Sequence, residues 1–540
     1  MNSANFLIGM SLLADQIDVA PRLVELGAGE LNPGDLARVV DGTADLALPS
    51  QARQRVEASR ARLEEAVRAR QLIYGVTTGY GPLANRHISP DKSTELQRNL
   101  IYHLSSGVGE PLSPRQTRAL MVARANSLAQ GFSAIRVSSL QLLIDCVNAG
   151  VLPVIPRMGT VGASGDLTPL AHLARGLMGE GRALYQGNLM TAAEALSRAG
   201  LSPLAPTHKE GLALVNGTSA MTGIAALNAV DARTALELSL QHTLLYSELL
   251  SGRREAWDER LAQVRPHPGQ VAVTARLLEL SASSRRLRRP QPGGAVVAED
   301  VTCVARHAEA LQDPYTIRCA PQIFGAVADV LSFHDGVVAT ELNAVTDNPV
   351  FFEEGPVHGG NFYGQHVAFA SDALVTAVVK LALTAERRIA RITDEAQNHG
   401  LPPFLQARSP GLQSGFMGAQ VTATAIVAEM RAKAVPASVQ SIPTNANNQD
   451  VVSMGTIAAR KGAEMLDHLF DVLAIEAMIL VQGLELRDPH GTGFAEASKT
   501  LAGRVRRHVA PLIEDRALAD DIAILSAAFR STASWTTMES

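Results

Sequence analysis

Ala163-Ser164-Gly165 is a tripeptide whose own backbone can close into a ring. In a sharply bent chain the amide nitrogen of Gly165 can attack the carbonyl carbon of Ala163. Glycine suits the attacking position because it lacks a Cβ and tolerates strained dihedrals. Alanine leaves the attacked carbonyl uncrowded, and Ser164 brings a β-hydroxyl that can leave as water. Loss of two waters gives a five-membered ring with an exocyclic methylidene, an electrophile that no ordinary side chain supplies. A bare Ala-Ser-Gly usually marks a turn. The weight therefore rests on the whole run Gly159-Thr160-Val161-Gly162-Ala163-Ser164-Gly165-Asp166-Leu167-Thr168-Pro169-Leu170-Ala171-His172. A second run, Ile73-Tyr74-Gly75-Val76-Thr77-Thr78-Gly79-Tyr80-Gly81, is a Gly-flanked loop with the mobility expected of a lid that opens for substrate. A free phenol has a pKa near 10, so a tyrosine there serves as a base only beside positive charge or hydrogen-bond donors.

Together these runs resemble the signature of the aromatic amino acid ammonia-lyase and aminomutase family, whose cofactor is a self-made methylidene-imidazolone (MIO). The resemblance covers roughly Leu31 to Gly491. It implies an MIO formed autocatalytically from Ala163-Ser164-Gly165, with no metal, and it matches Tyr74 to the catalytic base. Removing ammonia from an α-amino acid needs both an electron sink for the amine and a base for a barely acidic β-proton. The methylidene and the tyrosine would supply these.

Further segments match in the same order. In Gln312-Asp313-Pro314-Tyr315-Thr316-Ile317-Arg318, the family pattern makes Arg318 a bidentate fork for the substrate carboxylate. Tyr315 would assist proton traffic and Gln312 would orient its neighbours. In Leu214-Val215-Asn216-Gly217-Thr218-Ser219, Asn216 would hydrogen-bond the ring oxygen and polarise the electrophile. Asn343, Asn348 and the Gly359-Gly360-Asn361-Phe362 turn match a fourth segment, placing Phe362 against the substrate or the MIO ring. Gly81 and the Asn445-Ala446-Asn447-Asn448-Gln449-Asp450 run, with Asn445 and Asn448, complete the expected substrate site.

Two positions bear on the choice of amino acid. Histidine-specific members tend to carry Ser-His where this chain has His103-Leu104, and a Glu where it has Gln449. Phenylalanine-specific members tend to have Phe-Leu at 103–104. His103 offers a hydrogen-bonding nitrogen for a para-hydroxyl, and a site built to bind a hydroxyl rejects the analogue lacking it. The expected reaction is elimination of ammonia from tyrosine to give 4-coumarate, a phenylpropanoid acid. Alternatives are a tyrosine 2,3-aminomutase, or a lyase preferring 3,4-dihydroxyphenylalanine, phenylalanine or histidine.

The elements that must hold these groups are mainly helical. Residues 1 to about 215 alternate short helical patterns with Gly- and Pro-rich loops. Beyond them, Ala220 to Leu250, His366 to Asp394, Val421 to Ala434 and Val451 to Leu486 are long, apolar and poor in Gly and Pro. The His366 stretch carries apolar residues on nearly every face, including Phe369, and a helix of that kind belongs inside a bundle. The reading is a mainly α fold of fumarase/aspartase-like architecture, with an MIO-bearing domain at 1–215 and a long-helix bundle at 216–540. The family assembles as a homotetramer whose active sites draw on several chains.

The 540 residues carry a net charge of −5 and 46% hydrophobic content, enough for a large core without staples. Cys146, Cys303 and Cys319 lie far apart, which argues against a disulfide scaffold or a zinc site and fits a reducing cytoplasm. The patch Phe6-Leu7-Ile8-Gly9-Met10 has no preceding basic residue and does not read as a signal peptide. Asp372 and Lys380 interrupt the long apolar stretches, so no membrane span is expected. The Arg285-Arg286-Leu287-Arg288-Arg289 cluster runs into Pro290-Gln291-Pro292-Gly293-Gly294, which reads as a mobile loop, and in an acidic chain it does not point to nucleic acid.

Overall fold

The computed structural model describes residues 23–289, 303 and 311–530. The apolar patch at 6–10 and the Pro290 to Gly294 run lie outside the described residues.

Short helices build the N-terminal third. Pro114–Ala129 starts on a capping box, in which the Ser113 hydroxyl accepts from the Gln116 amide and the Gln116 side chain accepts from the Ser113 amide. Nearly every residue of that helix is buried. Beside it, Val108–Pro111 pairs antiparallel with Pro156–Met158. Leu152–Pro153 joins the hairpin of Arg182–Tyr185 and Asn188–Thr191. The ring-forming run therefore leaves a paired strand at Met158 and enters the Leu167–Leu177 helix nine residues later.

The long helices follow. Ser219–Leu249 is 31 residues, Ala320–Leu342 is 23, Gln365–Thr393 is 29 and Gly455–Arg487 is 33. Gly455–Arg487 packs against both Ser219–Leu249 and Gln365–Thr393, with Met417–Ala432 on the outside. Beside two small clusters, two large apolar cores stand out among the described residues. One gathers Leu26, Leu120, Leu170 and Leu214 with the start of Ser219–Leu249, and the other gathers Leu245, Leu381, Leu473 and Phe529 with its remainder. Among the described residues, two helices, Ala320–Leu342 and Gln365–Thr393, are long and apolar enough to cross a membrane by length and composition alone. Most of the apolar window of Gln365–Thr393 is covered by its neighbours in the bundle.

Three details depart from the pattern in the sequence. Phe369 stays 54% exposed, so Gln365–Thr393 is not covered all round within one chain. The segment expected to start a helix at Val451 does so only at Gly455. Residues Ser453 and Met454 are instead used to hold the ring-forming loop: the Met454 amide donates to the Val161 carbonyl (2.9 Å) and the Ser453 hydroxyl to that of Gly162 (3.0 Å). The arginine cluster is docked onto the body. Arg286 pairs with Asp488 at 3.1 Å and stacks over Phe494, while Leu287 is buried.

Candidate active site

Gly162 and Gly165 both adopt positive φ, 72° and 69°, and put a sharp bend on either side of Ala163-Ser164. A Cβ on Gly165 would collide with the Gly217 carbonyl, so only glycine fits where the two loops touch. The next residue locks the loop. The Asp166 amide donates to the Gly217 carbonyl (2.7 Å), and its fully buried carboxylate accepts from the Met221 amide (2.8 Å) and the Thr456 hydroxyl. Burial pushes that carboxyl up to about 6, against the pull of these donors. The Thr160 hydroxyl bridges the bend, accepting from the Gly162 amide (3.1 Å) and donating to the Gly165 carbonyl (3.2 Å).

Asn216 follows the Glu210–Val215 helix and donates from Nδ2 to the Ser164 carbonyl at 3.2 Å, while its Oδ1 is buried without a partner. The Gln449 amide donates to the Ser164 hydroxyl at 3.3 Å and accepts from the Thr444 hydroxyl at 2.7 Å. Gln449 thus stands beside the ring-forming serine.

Facing them, Tyr74 and its loop close a cavity of about 1280 Å³. The Tyr74 phenolic oxygen accepts from the Gly81 amide at 2.9 Å, and the Tyr74 amide donates to His358 Nε2 at 3.1 Å. Burial holds the His358 pKa down, as does the positive charge of Lys209, so its ring is a neutral acceptor. Gly81 has φ 52°, and a Cβ there would lie 2.6 Å from the Asn445 amide nitrogen. The tyrosine loop and the Asn445–Asn448 loop are in close contact there.

His103 and Leu104 line the same cavity from the last turn of the Ser93–Leu104 helix. Partial burial lowers the His103 pKa, which favours the neutral imidazole. Asn348 and Phe362 line it too, and Asn348 Oδ1 accepts from the Gly359 amide at 2.8 Å, fixing the turn before Phe362. Asn343 does not reach the cavity. It is a clamp that exchanges two hydrogen bonds with the backbone of Leu31, at 2.8 and 2.9 Å.

One group of expected site residues is absent from the cavity wall. The Tyr315–Arg318 helix is fastened to the bundle, where Trp257 Nε1 donates to the Ile317 carbonyl at 3.0 Å. Gln312, Tyr315 and Arg318 line no part of the cavity, and Tyr315 is 66% exposed with the Arg318 guanidinium over its ring. That helix lies outside the pocket of its own chain.

Other residues are visible only in the fold. Arg86 and Asn99 line the cavity, and Gln97 supports the tyrosine loop from behind, donating to Gly75 and Tyr80. Asn99 lies four residues before His103 and so shares its helix face. That spacing is the one sequence signal that could have found it.

Comparison with known proteins accords with this geometry. A tyrosine ammonia-lyase of Cereibacter sphaeroides is 51% identical over 496 residues, covering 90% of this chain and 94% of that protein. A histidine ammonia-lyase of Symbiobacterium thermophilum is 42% identical, covering 93% and 96%. The crystal structure of tyrosine aminomutase from Streptomyces globisporus superposes with a TM-score of 0.89 at 36% identity, covering 94% and 97%. The aromatic amino acid lyase family model matches residues 31–507, and with the ring-forming turn and the facing tyrosine in one cavity, the chain belongs to that family.

Proposed function

We propose that this chain eliminates ammonia from L-tyrosine to give 4-coumarate, and that Ala163-Ser164-Gly165 matures into MIO to do so. The observation that carries the reading is the convergence of Tyr74, Ser164 and His103 on one cavity. Attack by the Gly165 nitrogen on the Ala163 carbon expels the Ala163 oxygen as water, and the Ser164 hydroxyl leaves with the Ser164 Cα hydrogen as the second. The ring keeps the Ser164 carbonyl, the oxygen that Asn216 already approaches at 3.2 Å. The unpartnered Asn216 Oδ1 and the Cβ-free contact at Gly165 fit a turn that rearranges there.

MIO held at Ala163-Ser164-Gly165 beside Asn216 would supply an electrophilic carbon for the substrate amine and make ammonia a better leaving group. The protein's own residues do the rest. Tyr74 accepts the β-proton, and the Gly81 amide stabilises the phenolate oxygen by hydrogen bonding to the charged form. Asn216 places a donor on the ring carbonyl, where negative charge develops. His103 receives the para-hydroxyl, and Leu104 and Phe362 pack the aromatic ring.

Arg318 binds the carboxylate and Tyr315 and Gln312 assist, contributed by another copy of the chain in a homotetramer. The exposure of Tyr315, on the same short helix as Arg318, supports that assembly because it leaves the pair free to face another copy. Residues 1–215 act as the domain that holds the electrophile and 216–540 as the bundle that assembles. The widely spaced cysteines Cys146, Cys303 and Cys319 support a reducing, cytoplasmic site of action.

Likeness to a tyrosine aminomutase favours a second reading, in which ammonia returns to the β-carbon. One experiment separates the readings. Purified protein is incubated separately with tyrosine, phenylalanine, histidine and 3,4-dihydroxyphenylalanine, and the products are identified by chromatography. Release of 4-coumarate from tyrosine is expected. Accumulation of β-tyrosine instead establishes the mutase, and turnover of histidine alone overturns both.

A further inference from the structure

Gln97 sits on the Ser93–Leu104 helix behind the tyrosine loop, with no solvent exposure. All the hydrogen-bonding capacity of its NH2 group is spent on that loop. Nε2 donates to the Gly75 carbonyl at 2.8 Å and to the Tyr80 hydroxyl at 3.1 Å. Gly75 follows Tyr74 directly, and Tyr80 precedes Gly81, whose amide holds the Tyr74 phenolic oxygen. The two donors therefore grip both ends of the segment that carries the base.

The other end of the amide is tied to the electrophile side. Gln97 Oε1 accepts from the Leu212 amide at 3.0 Å. That amide is in the first turn of Glu210–Val215, which has no side-chain cap of its own and ends at Asn216. Packing at the junction is tight. A Cβ on Gly75 would lie 2.6 Å from the Tyr80 ring and 2.7 Å from Leu212, and one on Gly211 2.6 Å from the Gln97 carbonyl. Burial pushes the Tyr80 phenol above its ordinary value, so it stays a neutral partner for Gln97 and leaves the basic role to Tyr74.

We infer that Gln97 is a positioning residue for the reaction: it hangs the Tyr74 loop from the helix that ends at Asn216, and so sets where the base stands relative to the Ser164 carbonyl. The inference rests on the reading of Tyr74 as the base. Gln97→Met keeps the length and removes all three hydrogen bonds. Gln97→Glu keeps the acceptor for Leu212 and loses the paired donors.

The test is a double-mutant cycle with Tyr74→Phe, reading kcat and KM for tyrosine and the intact mass of each variant. Gln97→Met is expected to lower kcat by about 10- to 100-fold, as small misplacements at a reacting centre do. KM should stay within about threefold, because the substrate-contacting groups remain, and the two-water mass deficit should persist. In the Tyr74→Phe background the same change should cost under about twofold, since there is no phenol left to position. Gln97→Glu should behave alike if Gln97→Met does not fold. Equal losses in both backgrounds, or failure of both Gln97 variants to fold, overturn the proposal in favour of a purely structural role. Near-native kcat in Tyr74→Phe alone ends the base reading instead.

Discussion

In the proposed reaction, Ser164 carries the chemistry and His103 its selectivity. Ser164→Ala has no hydroxyl to lose, so the chain should keep the full mass of its sequence and fail to deaminate. Intact-mass spectrometry beside a tyrosine assay checks this, and an active, undehydrated protein would show that MIO is not the electrophile. His103→Phe should leave a bound tyrosine hydroxyl without a partner, a penalty of about 1–3 kcal/mol. Phenylalanine gains apolar contact at the same place. The tyrosine-to-phenylalanine ratio of kcat/KM should therefore fall by about tenfold or more, as one decade corresponds to about 1.4 kcal/mol. An unchanged ratio in an active variant would remove the role of His103. Gln449, lying at the Ser164 hydroxyl, should affect turnover of both substrates alike.

At the scale of elements, the ring-forming turn is held by contacts that glycine alone permits. Gly165→Ala would drive a Cβ into the Gly217 carbonyl and must displace one of the two loops. The Asp166 amide bond to Gly217 and the Asn216 bond to Ser164 belong to those same loops. Cyclisation should fail in this variant, with no two-water deficit in its mass, while the helical circular dichroism signal stays near native because the long helices are untouched. A Gly165→Ala chain that dehydrates normally would show that the turn is not what drives closure.

At the scale of the molecule, the proposed site takes Arg318 from another copy of the chain. If Tyr74 and Arg318 of different copies serve one active site, the impaired Tyr74→Phe and Arg318→Met chains should regain activity when dissociated and reassembled together. Mixed assemblies then contain some sites with neither substitution. No recovery above that of either variant alone would place both residues in the site of one chain.

The bundle also contains a buried ionic cluster, in which Glu476 accepts from Arg388 at 2.5 and 2.9 Å and contacts His242 Nδ1 at 2.9 Å. Burial raises the Glu476 pKa, but Arg388 and His242 outweigh it and hold the carboxyl below its ordinary 4.5. A depressed carboxyl contributes stability above that value and loses it as pH falls through the folded value. Arg388→Met should cost about 3–5 kcal/mol at neutral pH, because a buried carboxylate is left unpaired. Without Arg388, burial raises the Glu476 carboxyl, so the deficit should shrink as pH falls towards 4.5 and protonation relieves the stranded charge; urea unfolding at two pH values reads this. An equal deficit at both would show that the loss is one of packing.

The sharp Ala163-Ser164-Gly165 turn, the glycine-flanked Tyr74 loop and the long helices were legible in the sequence. Each is a local property: glycines where the chain must bend, or apolar residues unbroken by Gly or Pro over several turns. Only the tertiary structure decided the rest. Gln97 reads as one polar residue on an amphipathic helix until folding places Gly75, Tyr80 and Leu212 around it. Asn343 looks like a site asparagine until it is seen clamping Leu31, more than three hundred residues away. Ser453 and Met454 prolong an apolar pattern, yet their backbone and hydroxyl groups are spent on the ring-forming loop. The match of Gln312, Tyr315 and Arg318 to a family motif says nothing of which chain's cavity they face. Hydrogen-bond partners across such separations are set by how the helices pack, and no local pattern encodes that.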